Sequence, residues 1–240
     1  PVIGISALSE HVPHLFFGPL RRLLEVSNVR LWHNAEKCVE DTCYPPDHSM
    51  ISWIDVVEYA DGLGDMVYVL DGAAIVWGVQ NYYTSRIAAL CQQFKLPIAY
   101  GPEGISSPTV TVRKVMECHR AFNHPVMRFP TQPSMDVRIL RAKLFLEEML
   151  EMTSTLGWTP ADCSLLPVGS LDLHPSNPIA PTWDTVAAAL AELNFACRVA
   201  ARLLGLPLGA VVKEIHRSNM TKLGEDGKPI LRADGKFLKG

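Results

Sequence analysis

The segment from Trp53 to Gly78 constrains this chain most, because it is apolar over most of a helical surface and acidic only along a narrow stripe. Val57, Ala60, Leu63, Met66, Val67, Leu70, Ala73 and Ala74 cover nearly every side of such a helix. A helix apolar all round is buried rather than solvated. Gly62, Gly64, Gly72 and Ala73 leave room for another helix to approach closely. The stripe is Glu58, Asp61 and Asp65 at i, i+3 and i+7, so it faces an interior cleft rather than bulk water.

A second acidic group lies on Asp136–Met152, where Ile139, Leu140, Leu144, Leu146, Met149 and Leu150 supply apolar faces. Here Glu148 and Glu151 point the same way, and Glu147 lies about 100° around the helix from Glu148. Carboxylates cannot cluster towards a core unless something neutralises them. With oxygen donors only, the neutralising ion is Mg²⁺, or Mn²⁺, and a phosphate chain is the reason for it. Glu58, Asp61, Glu148 and Glu151 are therefore the expected ligands, with Asp65 holding a metal-bound water or a second ion. Glu147 flanks the cluster where a water-activating base belongs.

Length and composition permit a sizeable core. The chain has 240 residues, 48% hydrophobic and 20% charged, with a net charge of −3 and a pI near 6.3. That balance argues against nucleic acid or an anionic membrane surface as partner. The six cysteines show no C-x-x-C and no framework spacing, which predicts free thiols in a reducing compartment. The longest apolar run, Met66 to Val79, is interrupted by Asp71, and the opening residues lack a basic-then-apolar leader pattern. A cytoplasmic protein without a membrane span is expected.

Periodicity predicts an all-α helical bundle, with helices over 15–42, 52–78, 81–95, 109–122, 134–156, 182–204 and 207–221. The stretch 157–181, with five prolines and two glycines, reads as a long loop. The tail from Gly224 carries two Asp-Gly turns around a short apolar segment and predicts a small hairpin. The helix at 53–78 also echoes 182–205: Asp65 falls opposite Glu192, Asp61 opposite Ala188 and Glu58 opposite Thr185. Two tandem related helical units forming one globule are thus expected, 1–105 carrying the Glu58-x-x-Asp61 helix and 106–240 carrying Glu147-Glu148-x-x-Glu151, with acids lost from the second copy.

Three stretches resemble a known family. Val115-Met-Glu-Cys-His-Arg-Ala-Phe-Asn-His-Pro-Val126, Leu140-Arg-Ala-Lys-Leu-Phe-Leu-Glu-Glu-Met-Leu-Glu151 and Val212-Lys-Glu-Ile-His-Arg-Ser-Asn-Met-Thr-Lys-Leu223 are similar to the all-α nucleoside triphosphate pyrophosphohydrolases. This is the MazG-like superfamily, which includes phosphoribosyl-ATP pyrophosphohydrolases and dimeric dUTPases. Its E-E-x-x-E and E-x-x-D patterns are matched by Glu147-Glu148-x-x-Glu151 and Glu58-x-x-Asp61. Relatives carry the two patterns in the opposite order; duplication with complementary loss, or circular permutation, reconciles this. An alternative sets Glu36 and Glu40 against Glu58 and Asp61.

The resemblance implies Mg²⁺-dependent hydrolysis of a nucleoside triphosphate between the α- and β-phosphates, in nucleotide-pool housekeeping. It implies that Asn219, Lys222 and Arg217 contact the phosphates, and that the chain forms a homodimer. Phosphoribosyl-ATP hydrolysis and a catalytically inactive scaffold stand as the alternatives. His119 and His124 have no further His or Cys at a metal spacing and read as structural or surface residues.

Overall fold

The computed structural model describes residues 56–96, 107–155 and 182–230, with 29–31, 173–175 and helical positions at 16, 19–20 and 22–23. Side chains at 29–31, 56, 150–155 and 173–175 fall outside the description. The described elements are β1 (Val29–Leu31), α1 (Val56–Val76), α2 (Gln80–Gln93), α3 (Pro108–Ala121), α4 (Met135–Thr155), β2 (Leu173–Pro175), α5 (Trp183–Leu204) and α6 (Leu208–Met220). The fold is an all-α bundle, and the helices expected after residue 52 lie where periodicity put them.

One expectation is corrected. The helix over 15–42 does not run through Val29–Leu31, which pairs antiparallel with Leu173–Pro175 out of the expected long loop. Val29 and Leu31 alternate around Arg30, the period of a strand, and Ser27-Asn28 just before them favours a turn over a helix interior. The expected domain boundary near residue 105 lies outside the described residues.

The apolar helix is the centre of the bundle. Leu63, Met66, Val67, Leu70, Ala74 and Ile75 of α1 are fully buried, and α3, α4, α5 and α6 all pack against it. Gly64 makes the α6 contact possible, since a Cβ there would collide with Ile215 Cδ1 and sit 2.7 Å from Val211 Cγ1. The orientation of α4 follows from its approach. Met127 N–H donates to the Ile75 carbonyl at 3.1 Å and Thr131 N–H to the Trp77 carbonyl at 2.9 Å, which satisfies carbonyls at the carboxyl end of α1. Helix α4 starts a few residues later at that same end, so it runs back antiparallel along α1.

The echo between 53–78 and 182–205 has a structural counterpart. Both α1 and α5 end on a left-handed glycine, Gly78 at φ +68° and Gly205 at φ +69°. Both caps are closed the same way: Gly78 to Ile75 and Val79 to Ala74 at 3.1 and 2.9 Å, Gly205 to Arg202 and Leu206 to Ala201 at 3.3 and 2.8 Å. The alignment that sets Gly78 opposite Gly205 sets α2 opposite α6. Packing is reciprocal, with α1 against α6, α5 against α2, and α1 against α5.

The two capping glycines differ in surroundings. A Cβ at Gly78 would strike the Phe129 carbonyl, whereas one at Gly205 meets nothing within 4 Å. Gly205→Ala is expected to cost about 1 kcal/mol, the left-handed strain alone, and Gly78→Ala about 3 kcal/mol because the Phe129 backbone must also move. Urea unfolding of the two variants checks this, and equal losses would contradict the packed-cap account. The tail forms part of its expected hairpin: Leu223 bridges Pro229, and Gly227 at φ +72° turns the chain. The second Asp-Gly lies outside the described residues.

Candidate functional site

The stripe on α1 fixes the site. Glu58 and Asp61 are exposed near the start of the helix, and Asp65 is half-buried. On α4, Glu147 and Glu148 are half-buried, and the Glu151 side chain is outside the described set. Glu36 and Glu40 are outside it too.

The register of α1 against α4 brings these groups to one level. A Cβ on Gly72 would lie 3.0 Å from Arg141 Nη1, so Gly72 and Arg141 share a level. Asp65 is seven residues before Gly72 and Glu148 seven after Arg141. Seven residues are about two turns, or ~10.5 Å, and the helices are antiparallel, so Asp65 and Glu148 stand abreast. Asp61 is then level with the residues just after Leu150, where Glu151 sits. Among the described residues no three acidic, His or Cys side chains converge as a metal-holding group. An all-oxygen donor set of this kind suits Mg²⁺.

Glu192, opposite Asp65 in the sequence echo, pairs with Arg22 at 2.8 Å.

One turn along the stripe from Asp65 lies Tyr68, which is only 9% exposed. Its hydroxyl is 3.1 Å from His216 Nδ1, with the Cys118 thiol and the Asn219 side chain as its other partners. His216 Nε2 lies 3.5 Å from a Glu117 carboxylate oxygen. Burial, and then Lys114, push the His216 pKa down, while Glu117 pulls it up. A neutral ring with Nε2–H towards Glu117 leaves Nδ1 to accept the Tyr68 proton, which fixes the tautomer. Burial raises both the Tyr68 hydroxyl and the Cys118 thiol above their ordinary ranges. Neither is a nucleophile at neutral pH.

Of the three expected phosphate contacts, two join this cluster. Lys222 Nζ donates to Asn219 Oδ1 at 2.6 Å, and the Asn219 amide donates to the Tyr68 hydroxyl, which leaves the second amide hydrogen and the remaining ammonium hydrogens for an anion. Arg217 does not join it: its side chain is 65% exposed and its guanidinium is held by Glu214 at 2.9 and 3.0 Å on the outer face of α6. The structure therefore groups Asp65, Asn219 and Lys222 with Tyr68, His216, Cys118 and Glu117, which sequence reasoning missed. Tyr68 carried a signal, since it continues the Asp61–Asp65 stripe at i+7 and i+3.

Of the two histidines singled out in the sequence, His124 is exposed and His119 lies in the core. His119 is 4% exposed and bonded through Nδ1 to the Pro125 carbonyl at 3.1 Å. Cys91, Cys118 and Cys197 are free and buried. No single helix among the described residues is long and apolar enough to cross a membrane. No family model, no curated protein and no solved structure matches this chain.

Proposed function

We propose that this protein is a Mg²⁺-dependent nucleoside triphosphate pyrophosphohydrolase that cuts between the α- and β-phosphates. One observation carries the reading: antiparallel α1 and α4 set Asp65 level with Glu148, with Asp61 and Glu151 one turn further, while Asn219 and Lys222 line the same cluster as Tyr68. Acids for a cation and donors for phosphate oxygens would thus sit beside the same stretch of α1. The second copy supports the need for a cation, because there the carboxylate Glu192 is answered by the arginine side chain Arg22.

The residues divide the work. Glu58, Asp61, Glu148 and Glu151 would hold Mg²⁺, which supplies positive charge opposite the phosphate oxygens. Glu147 orients the attacking water and accepts its proton. Lys222 and Asn219 bind the outer phosphates, and Tyr68 fixes Asn219 from behind. Chelation with EDTA is expected to stop release of pyrophosphate, and added Mg²⁺ to restore it. A panel of nucleoside triphosphates with phosphoribosyl-ATP, resolved for pyrophosphate and orthophosphate, tests the class. Orthophosphate as the product would assign cleavage to another bond, and no turnover of any substrate would leave the inactive scaffold.

Within the site, Lys222→Ala is expected to raise KM at least about tenfold through loss of a charge-assisted contact. Arg217→Ala is expected to change KM less than about twofold, because its side chain is turned to Glu214 and solvent. A larger effect of Arg217 would mean that α6 presents its other face to the substrate. Light scattering decides between the proposed homodimer and a monomer whose paired units cover each other's apolar faces.

A further inference from the structure

We propose that His216 and Glu117 are positioning residues for the phosphate donors: acting through Tyr68, they hold the Asn219 amide in the orientation that leaves it and Lys222 free to donate to an anion. This rests on the hydrolase reading for the assignment of Asn219 and Lys222 to phosphate. A run of side chains crosses three helices, and every link in it is directed the same way. Lys222 Nζ donates to Asn219 Oδ1 at 2.6 Å. The Asn219 amide donates to the Tyr68 oxygen, the Tyr68 hydroxyl lies 3.1 Å from His216 Nδ1, and His216 Nε2 lies 3.5 Å from a Glu117 carboxylate oxygen.

The direction follows from counting protons. A neutral imidazole has one N–H and one bare nitrogen. Ionised Glu117 only accepts, so the N–H is Nε2 and the bare nitrogen is Nδ1. Tyr68 has one proton and two candidate acceptors for it, Nδ1 and the Cys118 sulfur. A ring nitrogen accepts far better than a thiol, so the proton goes to Nδ1. The Tyr68 oxygen is then an acceptor towards Asn219, which faces it with an amide N–H and turns Oδ1 to Lys222. An ammonium at one end and a carboxylate at the other polarise the links in the same sense. Gly64 lets the run form: it sits one turn before Tyr68 on α1, and α6 closes over it through Ile215, the neighbour of His216. Tyr68 is 9% exposed and the His216 side chain 12%, so a partner lost from either is not readily replaced by water.

Protonation of His216 breaks the direction. Nδ1 then donates, and the Tyr68 O–H is turned back on the weak Cys118 sulfur or on Asn219. Meeting it with Oδ1 flips the amide and takes Oδ1 away from Lys222. The groups around His216 are Tyr68 from α1, with Asp65 beside it; Lys114, Glu117 and Cys118 from α3; and Asn219 and Lys222 further along its own helix and just past its end. Burial and Lys114 hold the His216 pKa below the ordinary 6.5 against the pull of Glu117, so the ring is neutral at neutral pH and the change comes in acid. Phosphate binding therefore weakens as pH falls through that pKa.

Two measurements on the full chain test the positioning role. Nitrogen–proton correlation NMR of the unliganded wild type reads the His216 ring without turnover, and the expected ring is protonated on Nε2 and titrates below pH 6.5. A ring protonated on Nδ1, or charged at pH 7.5, would overturn the role whether or not the protein is a hydrolase. In kinetics at pH 7.5, His216→Ala is expected to raise KM for the nucleoside triphosphate about fivefold with kcat changed less than about twofold. His216→Asn places an amide oxygen near the position of Nδ1 and cannot titrate. It is expected to recover most of that loss and to lack the extra rise in KM that wild type shows at pH 5.5, since titration of the substrate is common to both proteins. An unchanged KM in His216→Ala, or the same acid rise in wild type and His216→Asn, overturns the role. A fall in kcat alone would give His216 a part in the chemistry and overturns it as well. Should His216→Ala fail to fold, the ring tautomer and the His216→Asn pH profile decide. If no nucleoside triphosphate is turned over, the hydrolase reading fails, and calorimetric binding of inorganic tripolyphosphate carries the same comparison. No binding of it to the wild type would remove the anion, and the positioning role with it.

Discussion

Asp61→Asn and Glu148→Gln are each expected to lower pyrophosphate release at least about a hundredfold while far-UV helical content stays unchanged. Both substitutions keep shape and remove one negative charge. Asp61 is exposed, so the amide disturbs no core packing, and Glu148 is half-buried on α4. A merely structural role for these groups would appear in stability and leave turnover near wild type. The reading predicts the reverse, and it predicts that each variant needs more Mg²⁺ to reach its residual rate. Turnover above about a tenth of wild type in both would place the chemistry elsewhere. Glu147→Gln separates the roles further: it is expected to lower kcat at unchanged Mg²⁺ requirement, because its carboxylate is assigned to water and not to the cation.

The two acidic helices were legible because their signals are local. An apolar surface with an i, i+3, i+7 stripe places α1 in the middle of a bundle whatever surrounds it, and Gly62, Gly64 and Gly72 announce close neighbours. What the stripe faces is not local. Tyr68 meets His216 and Asn219 across most of the chain, and only packing of α6 on Gly64 brings them together. Arg217 looked like Lys222 in sequence, but the helical phase turns it about 100° from His216 and onto the outer face of α6. Val29–Leu31 was read as helix because a three-residue strand is shorter than the window over which helical period can be told from chance.

Asp71 shows the same limit most sharply: in sequence it only interrupts an apolar run, and in the fold it begins a buried chain of polar groups. Tyr83 O–H donates to Asp71 Oδ1 at 2.7 Å, Asn194 Nδ2 donates to the Tyr83 oxygen at 2.7 Å, and Arg198 Nε donates to Asn194 Oδ1 at 2.8 Å. This joins α1, α2 and α5. In the sequence echo between the two helices Asp71 falls opposite Arg198, an acid opposite a base. Burial pushes the Asp71 pKa up to about 6, against the pull of the Thr111 and Tyr83 hydroxyls and the Arg198 charge. A raised carboxyl pKa contributes stability below about pH 4 that is lost as pH rises through 6, roughly 3 kcal/mol for this group.

Arg198→Ala removes a fully buried side chain and the cation that restrains that loss. It is expected to cost about 3–5 kcal/mol at pH 8. The Asp71 pKa then rises further, so the cost shrinks towards pH 5 as the carboxyl takes up its proton. Asp71→Asn keeps an acceptor for Tyr83 and removes the charge, and in the double variant it is expected to restore most of the electrostatic part at pH 8. Urea unfolding of the four proteins at pH 5 and 8 measures the cycle. Losses that simply add at both pH values would mean that the two charges do not sense each other across Tyr83 and Asn194, and that α1 and α5 are held together by apolar packing alone.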